Sequence, residues 1–159
     1  NFIFPVENEY SIIIDDQNQI FSFSKNTSQP NVKNILKTEF INDRIIYLNN
    51  NFEILSSYYN VFSMLHTIMS DQNLPENFII EREGLLYNAL MEYHENEFMY
   101  KLYLKKNSVN EPIIKNTDIF TWALFMDNAD RKIFINPETK LIEKCIFSKG
   151  LISIIATIK

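Results

Sequence analysis

The stretch EFMYKLYLKKN, residues 97–107, limits the possible folds more than any other. Phe98, Tyr100, Leu102 and Leu104 fall on one face of an extended chain, and Met99, Lys101, Tyr103 and Lys105 on the other. A strand with one greasy face needs strand neighbours and a covering layer, and the residues that follow supply candidates. In 119–126, Phe120, Trp122, Leu124 and Met126 alternate with Ile119, Thr121, Ala123 and Phe125. Both faces are largely apolar, which predicts a central strand covered on both sides, with Trp122 filling the core. The tetrapeptide DNAD, 127–130, is turn chemistry. KIFIN then returns as a strand, NPETK turns again at Pro137, and KLIEKCIF and LISIIATIK form two more strands parted by Gly150. Links this short favour an antiparallel meander over βαβ crossovers.

The N-terminal half reads similarly. Tyr10, Ile12 and Ile14 alternate, then Phe21 and Phe23 do, with polar turn residues Asp15 to Gln19 between them; this predicts a β-hairpin ended by Pro30. Val32, Ile35, Leu36 and Ile41 fit a short helix, and RIIYLNNNFEIL fits another hairpin turning at Asn49, Asn50 and Asn51. The period then changes. Tyr58, Val61, Phe62, Leu65, Ile68 and Met69 have helical spacing, with Ser56 or Ser57 as cap and Asn73 and Pro75 beyond the end. A second helix is predicted over about residues 80–95, with Leu86, Leu90 and Tyr93 as its buried stripe. The fold class expected is α+β: a largely antiparallel twisted sheet, made of a C-terminal meander and an N-terminal hairpin, packed with two helices in one domain spanning 1–159.

Bulk properties narrow the function. The 46% hydrophobic and 22% charged residues are those of a globular protein. A net charge of −5 argues against nucleic acid and against an anionic membrane surface as partners. No apolar run reaches the roughly 20 residues that span a bilayer, and the single cysteine, Cys145, rules out an internal disulfide. A cytoplasmic location is the expectation from these features. Asn1 is not an initiator methionine, which is compatible with removal of preceding residues or of a leader.

Catalytic and metal motifs are scarce. Gly84 and Gly150 are the only glycines, so no glycine-rich phosphate loop and no G-x-S-x-G elbow exists. His94 sits among Glu92, Glu95 and Glu97, but Phe98 stands where a zincin motif needs its second histidine. His66 reads as a core or boundary residue, and Cys145, alternating with Leu141 and Phe147, as a buried thiol. No cofactor, metal or catalytic residue is assigned.

Charge placement is more informative. Residues 71–97 carry Asp71, Glu76, Glu81, Glu83, Glu92, Glu95 and Glu97 against Arg82 alone, a net −6. On the predicted second helix, Glu81, Asn88, Glu92 and Glu95 fall within about an 80° arc opposite Leu86 and Leu90. That face, with Glu97, is the candidate partner-binding surface, and its complement is a basic protein.

The segment IFTWALFMDNADRKIFIN resembles a strand–turn–strand segment in some immunity proteins of bacterial contact-dependent growth inhibition systems. The residues that carry the likeness are Phe120, Thr121, Trp122, Leu124 and Asp127. The resemblance implies a small inhibitor that binds and occludes one cognate toxin domain, with a nuclease as one candidate; it implies no site residues. The competing expectations are a viral host-interaction protein, from the Asn- and Ile-rich composition, and a small hydrolase using carboxylate or histidine chemistry.

Overall fold

The computed structural model describes residues 6–14, 20–42, 44–50, 52–55, 59–70, 74–108 and 110–157. The protein is α+β, with two mostly antiparallel sheets and two helices. The first sheet is a five-stranded meander of β1 (Glu7–Ile14), β2 (Ile20–Gln29), β3 (Val32–Ile41), β4 (Arg44–Tyr47) and β5 (Phe52–Leu55), in chain order. The expected hairpins are β1–β2 and β4–β5; turn residues Asp15 to Gln19 and Asn51 lie outside the described residues. Pro30 and Asn31 turn β2 into β3, with Asn31 at φ 63, a conformation asparagine tolerates better than most residues.

The second sheet has seven strands. β6 (Tyr59–Asn60) leads directly into α1 (Val61–Met69) and then into β7 (Asn77–Arg82), which lies parallel to β6. β8 (Leu85–His94), β9 (Met99–Lys106), β10 (Asp130–Ile135), β11 (Ile142–Lys149) and β12 (Ile152–Thr157) continue it in antiparallel order, with α2 (Ile119–Leu124) between β9 and β10. Asn60 caps α1 in a reciprocal box: its side chain accepts from the Ser63 N–H at 2.8 Å, and its own N–H donates to Ser63 Oγ at 3.0 Å. The expected caps Ser56 and Ser57 lie outside the described residues, as do Tyr58 and Asn73.

Both helices pack on one face of the large sheet. Val61, Met64 and Ile68 of α1 and Ala123 and Leu124 of α2 join Leu85, Tyr87, Ala89 and Met91 of β8 in the main core. A smaller core, Leu36, Ile45 and Tyr47, lies under the first sheet. A file of rings joins the two: Tyr10 and Phe23 contact Phe62 of α1 at 4.5 and 5.4 Å, Phe62 faces Phe120 at 6.3 Å, and Phe120 meets Phe147 at 5.5 Å.

Four expectations are corrected. Residues 80–95 are not a helix. Arg82 pairs with Leu85 across a two-residue turn whose residues, Glu83 and Gly84, both have positive φ, 51 and 87. That backbone suits the twist of a β-hairpin. Leu85, Tyr87, Ala89 and Met91 are buried alternately with Leu86, Asn88, Leu90 and Glu92, so the true period is two. Residues 32–41 are likewise strand, with Leu36 and Thr38 turned inward. Conversely, 119–124 is helix, because the Asp118 carboxylate accepts the Thr121 N–H at 2.8 Å and caps it. Trp122 is 41% exposed, so it does not fill the core.

Candidate functional site

Two places in the fold concentrate ionisable chemistry. The first is the junction between the sheets. Lys25 of β2 is buried, 2% exposed, and its ammonium binds Glu83 at the β7–β8 turn, Asp118 Oδ2 at 2.9 Å and Thr117 Oγ1 at 3.0 Å. Asp118 is wholly buried and also accepts the Tyr10 hydroxyl at 2.8 Å. It thus ties β1, β2 and the start of α2 to one carboxylate. Beside this group, Tyr47 of β4 donates to Glu81 of β7, and the Gly84 N–H donates to Glu81 Oε1 at 2.7 Å. Each buried charge therefore has a partner, which is the condition for keeping charge inside a protein.

The environments push the carboxyls apart. Burial lifts Glu81, against the opposing hydrogen bonds from Tyr47 and Gly84, to about 7, and the nearby Glu83 adds to the rise. Burial also raises Asp118, but the charge of Lys25 and the Thr121 N–H outweigh it and hold that carboxyl below its ordinary value. Burial and the adjoining Glu81 carboxylate push the Tyr47 phenol well upward. A cavity of about 30 Å³ touches Lys25, Glu81, Glu83 and Asn60. It has room for water. The arrangement does the work of a polar clasp between two sheets.

The second place is one end of the large sheet. A single 3-10 turn, Glu95–Glu97, joins β8 to β9, and both glutamates are exposed. Ile135, at the end of β10, donates its N–H to the Phe98 carbonyl at 2.9 Å. The β10–β11 turn, 136–141, therefore lies beside the 3-10 turn and adds exposed Glu138. Glu143, at the start of β11, accepts from Asn136 Nδ2 at 2.9 Å. Glu92 accepts the Tyr103 hydroxyl at 3.1 Å and lies 3.9 Å from His94 Nε2. Among the described residues, no Lys or Arg side chain pairs with Glu95, Glu97 or Glu138. In or next to the two turns, three large apolar side chains, Tyr93, Phe98 and Leu141, are exposed. Phe98 sits at φ 47, ψ 51, a left-handed conformation that costs a bulky residue about 1 kcal/mol or more.

The candidate surface read from a helical face therefore does not exist in that form. Glu81 is 7% exposed and bonded within the clasp, so it cannot meet a partner. Asn88 is exposed on β8, bonded to Asn107 and separated from the 3-10 turn by the six residues 89–94. Glu95 and Glu97 share the 3-10 turn, while Glu92, before it on β8, stands opposite Lys101 of β9. Sequence reasoning missed Glu138, Glu143 and Leu141, which a β10–β11 hairpin carries to the same end; the signal was the turn NPETK, already legible. It also missed Lys25, Asp118 and Tyr10, which are far apart in sequence.

His94 and its neighbours do not form a metal cage: among the described residues, no three His, Cys, Asp or Glu side chains converge to hold an ion. Cys145 is buried in β11 and burial lifts its thiol to about 12, so it stays protonated and poorly nucleophilic. Among the described residues, no helix is long and apolar enough to cross a membrane. Compared with protein-family models, with curated proteins and with solved structures, the chain matches none.

Proposed function

We propose that the protein is a non-catalytic binding protein that docks the acidic end of its seven-stranded sheet on a basic protein surface. One observation carries this reading: two adjacent turns bear exposed Glu95, Glu97 and Glu138, with no lysine or arginine partner among the described residues, and the same turns expose Phe98 and Leu141. Unpaired carboxylates on one rim steer a cationic partner and set its orientation. Exposed aromatic and aliphatic side chains beside them supply desolvated contact area. The left-handed Phe98 fits the same reading, since backbone strain at an exposed aromatic is tolerated where the side chain is needed in place.

The narrower form of the proposal is an immunity protein that occludes a cognate toxin domain. It draws on the acidic rim and on the likeness of residues 119–136 to immunity proteins. Those residues fold here as helix, turn and strand, so the narrower form leans mainly on the rim.

Affinity capture with the tagged protein, read by mass spectrometry, tests the proposal. The expected result is a basic protein that is retained by the wild type and lost with Glu95→Lys/Glu97→Lys/Glu138→Lys. Capture of no basic protein, or retention unchanged by the triple reversal, contradicts it.

A further inference from the structure

Four strands form the edges of the two sheets, and three of them carry guards against pairing with another chain. β1 bears Glu7 and Glu9. β5 is four residues long, with Glu53 bridged to Arg44. β6 is two residues long. Short length and edge charge are the usual means of keeping foreign strands from adding to a sheet. β12 has neither. Ile152–Thr157 contains no charge and no proline, pairs with β11 in unbroken register, and has no strand on its other side among the described residues. Its alternate backbone N–H and C=O groups on that side are therefore open to another chain. Ile152 and Ile155 are 49% and 60% exposed. Ile154 and Ala156 pack against the main core and hold the strand extended, so little ordering cost remains for a chain that joins it.

We propose that β12 is a self-association edge: two copies pair their β12 strands antiparallel about a two-fold axis, merging two seven-stranded sheets into one. The occupant is a second copy because the strand is complementary to itself. A dyad through Ile154 sets Ile152 opposite Ala156 and Ser153 opposite Ile155 on matching faces, with no charge in any pair. The chain as a whole carries −5, so copies repel least where the surface is neutral. The edge is a different surface from the acidic rim, and the proposal stands whether or not the rim binds a partner.

Sedimentation of the purified chain across a concentration series tests it, with Ile155→Lys and, separately, Ile152→Lys. Both side chains are exposed, so folding is expected to be retained, and circular dichroism and melting temperature check that. The expected result is a dimer for the wild type and a dissociation constant raised by about tenfold or more for each variant, with outward-facing β12 amides protected from hydrogen exchange only in the dimer. A wild type that stays monomeric at the highest concentration overturns the proposal. So does a dimer that both folded variants leave intact.

Discussion

Arg131 shows how one side chain can hold a local structure together. It is buried, and its guanidinium donates to the carbonyls of Leu124, of Ala129 at 2.9 Å and of Met126 at 2.5 Å. Leu124 ends α2, and Met126 and Ala129 lie in the turn that follows it, so one side chain ties the helix end to the start of β10. Burial lowers the guanidinium pKa, with the nearby Asp127 opposing that shift. Replacing it with methionine removes three hydrogen bonds from a buried cation, two of them in buried surroundings, and a loss of about 3 kcal/mol in urea-unfolding stability is expected. Lysine should recover little of it, because an ammonium lacks the fork that reaches three carbonyls at once. Glu81 makes a second prediction, about pH. Its carboxyl binds a proton more tightly when folded, at about 7, than in the unfolded chain, at 4.5. The folded state therefore holds more protons through that window, and stability falls as pH rises through it. The fall is on the order of 3 kcal/mol as an upper figure. Melting temperatures between these pH values should decline for the wild type and stay nearly flat for Glu81→Gln, which keeps an acceptor for Tyr47 and for the Gly84 N–H.

At the scale of elements, the β7–β8 hairpin depends on Gly84. A Cβ there would lie 2.9 Å from Ile113 Cδ1 and 3.3 Å from Phe52 Cε1, and the backbone stands at φ 87. Gly84→Ala should cost about 1–3 kcal/mol in denaturant unfolding; a neutral result would mean the turn and its neighbours are not packed as described. The same hairpin shows where sequence reading stops. Residues 85–92 are rich in Leu, Ala, Met and Glu, good helix formers, and the two-residue turn at Glu83–Gly84 was hidden inside an apparently helical pattern. Burial against α1 and α2 overrode that propensity. In 119–126 the ambiguity ran the other way, since a segment apolar all round fits a buried strand or a short helix equally, and the Asp118 cap decides for the helix. Where polar and apolar residues alternate cleanly, as in 99–105, in β1–β2 and in the C-terminal strands, the elements were legible. So was α1, whose apolar stripe has a single period.

For the whole molecule, the two sheets meet through a polar clasp and a file of rings, and neither was visible in the sequence. Tyr10, Lys25 and Asp118 are brought together only by the topology, and lone residues of these types carry no local signal. The acidity of residues 71–97 was visible, but its placement was not: the fold buries Glu81 and Glu83 in the clasp, and carries Glu92, Glu95 and Glu97 to the far end of β8. There a second hairpin adds Glu138. One stretch of negative charge thus becomes an internal joint and an external rim. Amide hydrogen exchange, measured on the protein alone and with its captured basic partner, tests the rim most directly. The account predicts slowed exchange at residues 93–99 and 136–143, with β2 and the clasp unchanged. Protection confined to other surfaces, with exchange at both turns unaltered, would contradict it.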